Sequence, residues 1–382
     1  MNRKLVFYDV TLRDALQAAP RTPSVKERVN IGRRIKDIGF DYVEAGFPFA
    51  SEYDFQTVKE LSSNIGGVVA FGRATKGDID SSLNAFGNNK PILNLVSPVS
   101  REHIYKNLKL DFNTYLERME EIFDYVNKET SKRGGNYMMI FEDSSRADKP
   151  FFEKLAKLAA DNGAYSLTYA DTVGIEMPRT ISKKFSEFRN YADKKVLHGI
   201  HTHNDLGLAT ANSLEAVLNG ADIVQTTIGT LGERAGNCSA ETLIEILRQN
   251  KDLGIDVDID TREYEKLNED ISDTFGISVP FNAPIVGKNA FTHWSGMHQN
   301  GDRKANLYRP VNPDHWGGEV SYGINSSSGS IGVKHVFSNF GIEIPESKLV
   351  GIVWRIKELS GELGRPIRSD DIQSIAREFE LI

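Results

Sequence analysis

Two histidines separated by one residue, His201 and His203, stand in a polar run with Thr202, Asn204 and Asp205. If that run closes a β-strand, side chains two apart point the same way, and both imidazoles face one space. Two imidazoles and a carboxylate make a mixed nitrogen and oxygen set that holds a divalent cation and leaves positions open for substrate. Asp14, at the end of Asp9-Val10-Thr11-Leu12-Arg13-Asp14, is the best-placed carboxylate. Such a set admits Zn, Mn, Mg or Co, and affinity order alone does not choose among them. An isolated His-x-His also arises where two histidines are hydrogen-bonded inside a core, so position must decide. None of the other histidines forms such a pair.

Arg13 lies directly beside Asp14. At an active-site mouth it is a fixed cation for a carbonyl becoming an oxyanion; elsewhere it is an ordinary solvated charge. Glu142 and Asp143 read either as acids favoured at a helix N-terminus or as a base and its orienting neighbour. Gly232-Glu233-Arg234-Ala235-Gly236-Asn237 is read as opening a helix, where backbone amides bind anions, or as a plain glycine-rich turn.

The elements that must position these groups are short runs rich in β-branched and aromatic residues, alternating with helical patterns. Strands are expected at 5–8, 42–46, 67–71, 92–96, 137–141, 166–170, 196–201 and 223–227. Helical patterns follow them, at 26–38, 112–130, 151–162, 179–191, 209–219 and 240–251, the first with a capping box of Ser24 and Glu27. Eight such units predict an α/β fold, a (β/α)8 TIM barrel over residues 1–252, with the candidate residues after its strands at one mouth. Residues 253–382 do not repeat the unit and are expected to form a C-terminal helical appendage. Within it, 255–275 and 346–378 read as helical, and 287–312 as too polar for a core element.

Composition closes off other classes. A net charge of −7 argues against a chain that wraps nucleic acid. The single cysteine, Cys238, cannot form an intramolecular disulfide, and no run resembles a signal peptide or a membrane span, so a cytoplasmic setting without membrane contact is expected.

Taken together, Asp9–Asp14, His201–Asp205 and Gly232–Asn237 resemble the DRE-TIM metallolyases, and more narrowly the 2-isopropylmalate, homocitrate and citramalate synthases. The likeness extends to Glu44-Ala45-Gly46-Phe47-Pro48, Asp171-Thr172-Val173-Gly174 and Ala290-Phe291-Thr292-His293-Trp294-Ser295-Gly296-Met297-His298. It implies a Claisen-type condensation of acetyl-CoA with a 2-oxo acid, driven forward by thioester hydrolysis, in amino-acid and specifically leucine biosynthesis. By motif position it implies Asp14, His201 and His203 as metal ligands with Asn237 close by. Arg13 would stabilise the enolate or carbonyl oxygen, and Arg13, Gln17, Glu44 and Thr172 would contact substrate, Thr172 holding the substrate carboxylate. Glu142, His298 and Tyr308 match the proton-handling group, the last two crossing onto a partner's barrel in a homodimer.

Departures shape the expectation. Ala15-Leu16-Gln17 replaces the usual Gly-Glu-Gln, and Asn325–Ser330 lacks an arginine usual nearby. Met138 and Ile140 stand where homocitrate synthases carry an arginine and a serine, which disfavours a dicarboxylic acceptor and favours 2-oxoisovalerate or pyruvate. At 382 residues the chain is expected to lack the family's C-terminal feedback domain. Competing readings are a homocitrate- or citramalate-type synthase, a hydroxymethylglutaryl-CoA lyase or aldolase, and a catalytically idle barrel.

Overall fold

The computed structural model describes residues 3–382. Eight parallel strands close into a barrel: β1 (Val6–Asp9), β2 (Tyr42–Gly46), β3 (Val68–Arg73), β4 (Ile92–Pro98), β5 (Asn136–Glu142), β6 (Ser166–Asp171), β7 (Leu197–Thr202) and β8 (Ile223–Thr226). Closure is made by β1 on β8, with Val6 opposite Ile223 and Tyr8 opposite Gln225. The helices between and after the strands are α1 (Val25–Asp37), α2 (Glu52–Ser62), α3 (Lys76–Phe86), α4 (Phe112–Ser131), α5 (Lys149–Asp161), α6 (Pro178–Phe188), α7 (Ala209–Leu218) and α8 (Ala240–Gln249). The expected TIM barrel is therefore present.

Local chemistry sets the helix starts. The Ser24 hydroxyl accepts the Glu27 amide while Glu27 Oε2 accepts the Ser24 amide at 2.8 Å, so two otherwise orphaned donors are satisfied. The side chains of Ser51, Thr75, Asp111, Asp148 and Ser239 cap α2, α3, α4, α5 and α8 by accepting a first-turn amide, without the reciprocal bond. Strand alternation fills the barrel with Tyr8, Val69, Met138 and Ile223, while Phe141, Tyr169 and His198 face outward onto Phe152 and Phe188.

The first compact unit runs to Ser278, beyond the boundary expected at 252. Two interactions account for the difference. Residues Ile255–Asp256 pair as a short strand with Arg3–Lys4, and α9 (Tyr264–Phe275) buries Tyr264, whose hydroxyl donates to Glu241 Oε2 at 2.9 Å. The run at 255–275 is thus strand, loop and helix in place of continuous helix.

The second unit, Val279–Ile382, holds α10 (Gly296–Ala305), α11 (Ser330–Asn339), α12 (Glu346–Leu363) and α13 (Ser369–Glu378). Its core gathers Val333, Phe337, Ile352, Ile356 and Ile375. The stretch read as helical at 346–378 is two helices, parted at Gly364, whose φ of +59° ends α12, and the polar stretch at 287–312 contains α10 but adds no residue to that core. No helix among the described residues is long and apolar enough to cross a membrane.

Candidate active site

Alternation along β7 decides which groups meet. His198 and Thr202 point outward, Thr202 Oγ1 donating to the Ala209 carbonyl at 2.9 Å. His201 and the following His203 point inward, with their Nε2 atoms 3.2 Å apart. Asp14 arrives from the helical turn Thr11–Asp14 after β1 and places Oδ2 3.7 Å from His201 Nε2. One donor atom from each of the three lies within 4.8 Å of the others, and all three residues are buried. Among the described residues this is the single group of three His, Cys, Asp or Glu side chains so arranged.

The chemistry of this set fits a divalent cation. Burial, and then the neighbouring His203, push the His201 imidazole down to about 3; burial likewise lowers His203. Burial acts upward on Asp14, but Arg13 and then His201 outweigh it and bring the carboxyl down to about 2. The result is one carboxylate and two neutral imidazoles, the protonation state that metal ligands require. Asn237 adds an amide whose Nδ2 is 3.2 Å from both Asp14 Oδ2 and His201 Nε2 and whose buried Oδ1 has no partner. Rotating that amide exchanges its two ends and brings the oxygen to the donor set. The residues present therefore suit a metal.

Arg13 is fixed from two sides. Its Nε donates to Glu44 Oε2 at 2.6 Å, and an Nη lies 3.1 Å from Asp14 Oδ2. The Phe71 ring lies beneath the guanidinium, 4.4 Å from its centre. Glu44 is itself anchored, since Oε1 accepts the Tyr8 hydroxyl at 2.6 Å and Asn94 Nδ2 at 2.9 Å. Glu44 is fully buried, and three internal donors hold its carboxylate in one orientation. In this structure Glu44 contacts Arg13 directly and orients its guanidinium.

Glu142 ends β5 with its carboxylate 3.4 Å from His103 Nδ1, and burial raises its pKa against the lowering effect of His103. Asp143 differs from its neighbour. It occupies the left-handed region at φ +64° and is held bidentately by Arg146 at 2.8 Å. Thr172 Oγ1 accepts the Asp143 amide at 2.8 Å, which leaves the Thr172 proton to donate elsewhere. Gln17 lies exposed in the turn Ala15–Gln17, three residues past Asp14.

The glycine-rich run does not open a helix, because α8 starts later, capped by Ser239. It is a loop whose Glu233 amide donates to Asp14 Oδ1 at 3.0 Å, so its anion-binding capacity serves Asp14. A side chain at Gly232 would strike Asn237 Oδ1 at 1.7 Å, and one at Gly236 would strike the Thr230 carbonyl at 1.8 Å. Arg234 ties three loops together, gripping Asp205 at 2.7 and 2.8 Å and donating to the Thr172 carbonyl at 2.7 Å.

In the second unit, His298 on α10 stacks on Tyr308, with ring centroids 4.1 Å apart and planes 19° from parallel. The two residues expected to handle protons are thus brought together within that unit.

Sequence reasoning overlooked Tyr8, Asn94, His103 and the Arg234–Asp205 pair. Asn94 carried a signal, as a polar residue at an inward position of an otherwise apolar strand. His103 carried none, because it sits in the Glu102–Asn107 turn between β4 and α4.

Comparison with known proteins agrees with this geometry. Residues 4–271 match the HMGL-like family, and residues 285–363 match the homocitrate synthase post-HMGL domain-like family. The 2-isopropylmalate synthase of Sulfolobus acidocaldarius is 32% identical, over 98% of this chain and 95% of that protein. That of Olsenella uli is 32% identical over 99% of this chain and 75% of its own length. Among solved structures, a hydroxymethylglutaryl-CoA lyase from Acinetobacter baumannii, in complex with coenzyme A and 3-methylmalate, superimposes with a TM-score of 0.61 at 20% identity. It covers 81% of this chain and 97% of its own, and at that identity shows the fold alone.

Proposed function

The chain belongs to the HMGL-like family, and from that premise we propose that it condenses acetyl-CoA with a monocarboxylic 2-oxo acid, as a 2-isopropylmalate synthase does. The observation that carries this reading is the buried group of Asp14, His201 and His203 beside an Arg13 held by Glu44. A divalent cation bound there, Zn, Mn, Mg or Co, supplies Lewis-acid polarisation of the acceptor's ketone. Arg13 offers a preoriented cation to the oxygen on which charge develops. Thr172 donates its hydroxyl proton to the acceptor carboxylate. Glu142, whose pKa burial raises above the ordinary carboxylate value, takes and returns protons, and His298 and Tyr308 are the other proton carriers.

Two further features support the finer reading. Met138 and Ile140 are buried on β5 without a cation, so a second acceptor carboxylate would lie unpaired. The match to a homocitrate synthase post-HMGL domain favours the synthases over the lyases, whose solved structures cover less of this chain. Because Tyr308 is 38% exposed, it is open to a partner, and the functional unit is a homodimer in which His298 and Tyr308 serve the partner's barrel.

Free-thiol release from acetyl-CoA, measured with a panel of 2-oxo acids, tests the proposal. The expected order places 2-oxoisovalerate and pyruvate above 2-oxoglutarate and oxaloacetate by about 100-fold or more in kcat/KM, from the several kcal/mol that an unpaired buried carboxylate costs. A preference for the dicarboxylic acids overturns the acceptor assignment.

A further inference from the structure

We infer that Asp302 is a positioning residue for Tyr308, its carboxylate tethering the chain through Arg309 so that the Tyr308 ring stays stacked on His298. The inference rests on the reading of His298 and Tyr308 as proton carriers.

Asp302 is fully buried although it lies on a polar helix. Its Oδ1 accepts Arg309 Nε at 3.0 Å, and its Oδ2 accepts Arg309 Nη2 at 2.8 Å and the Tyr322 hydroxyl at 2.6 Å. His293 Nε2 stands 3.5 Å from Oδ1. A buried carboxylate this fully engaged holds a fixed geometry, and the bidentate grip fixes the orientation of Arg309 as well as its distance. Tyr308 immediately precedes that arginine.

The chain between these residues is shaped to the same end. α10 ends at Asn306, which takes the left-handed conformation at φ +53° and returns its amide to the Asp302 carbonyl at 2.8 Å. The turn folds Tyr308 back over the helix it has just left. A Cβ at Gly301 would lie 2.6 Å from Tyr308 Cε2 and 3.0 Å from Cδ2, so the ring rests on bare backbone. The ring therefore has a floor at Gly301, a tether at Asp302 and Arg309, and His298 as its stacking partner. Gly301, Tyr308, His298 and Arg309 are not among the residues of the unit's apolar core, which Asp302 meets only through Tyr322.

The experiment follows the His298 ring in the full-length protein by carbon-labelled histidine NMR, alongside kcat and KM. His298→Gln identifies the resonance, and Tyr308→Leu gives its position without the stacked ring. Asp302→Asn, Arg309→Gln and Gly301→Ala are each expected to move the His298 resonance toward its Tyr308→Leu position. Each should lower kcat by about 100-fold, the cost of a catalytic group displaced by about an ångström, with KM little changed. Arg309→Gln changes a more accessible partner of the tether and keeps the test open if Asp302→Asn does not fold. A His298 resonance unmoved in Arg309→Gln and Gly301→Ala overturns the inference. If the resonance moves but His298→Gln and Tyr308→Leu keep wild-type kcat, the positioning stands and the proton-carrier reading falls.

Discussion

Glu44 Oε2 accepts Arg13 Nε at 2.6 Å inside the barrel, and neither side chain is more than 8% exposed. The pair joins β2 to the turn after β1, and Tyr8 and Asn94 hold the carboxylate's other oxygen. Arg13 is thereby aimed before any substrate arrives, which is what a preorganised oxyanion site requires.

Glu44→Gln should therefore cost both stability and turnover. Breaking a buried ion pair costs about 3 kcal/mol at the lower end of its range, which suits a site where Asp14 still faces Arg13. Denaturant unfolding should show this loss, and kcat should fall by about 100-fold from a misaimed guanidinium. Unchanged stability and kcat would remove Glu44 from the site's architecture.

His201→Ala and His203→Ala should each abolish bound metal and activity while leaving the circular dichroism spectrum close to wild type. The inward pair holds donors whose loss opens a small polar gap and leaves the strand ladder of β7 intact. Metal analysis showing unchanged stoichiometry in both variants would exclude the assigned ligands.

Stability should also fall with acid through His198. This outward-facing histidine is 1% exposed, its ring nitrogens have no hydrogen-bond partner, and burial brings its pKa down to about 4. Unfolded, it titrates near the ordinary value of about 6.5, so between about 6.5 and 4 the unfolded chain binds the proton and the folded chain refuses it. The contribution is absent above that window and reaches about 3 kcal/mol of lost stability below it. Thermal melts of His198→Leu across that range should show a shallower decline than wild type. Equal slopes would contradict the account.

Mixing inactive His298→Ala protein with inactive His201→Ala protein should restore activity once subunits exchange. A mixed dimer then contains one site with both defects and one with neither. No recovery despite demonstrated exchange would return His298 to its own barrel or remove it from catalysis.

The meeting of His201 and His203 was legible because strand alternation has a period of two, so both rings of a His-x-His at a strand end share one face. The same logic gave eight strands close to their observed positions. What escaped depended on partners distant in sequence. The donors to Glu44 come from Tyr8, Arg13 and Asn94, on three different elements, so its anchoring has no local pattern. The helix at Gly296–Ala305 was hidden by its two glycines and its polar sequence, which lower intrinsic helix propensity. Burial of Gln299 and Asp302 and the capping turn at Asn306 hold it. The extension of the first unit to Ser278 escaped for the same reason, since a two-residue strand is defined only by pairing with Arg3 and Lys4.

The most direct measurement follows the methyl carbon of acetyl-CoA labelled at that position, incubated with enzyme, a divalent cation and 2-oxoisovalerate. The account predicts that the label appears in a new dicarboxylic acid, bonded to the former ketone carbon, with one free thiol released per molecule formed. Label recovered only as acetate, or bond formation with hydroxymethylglutaryl-CoA cleavage as the faster reaction, would contradict it.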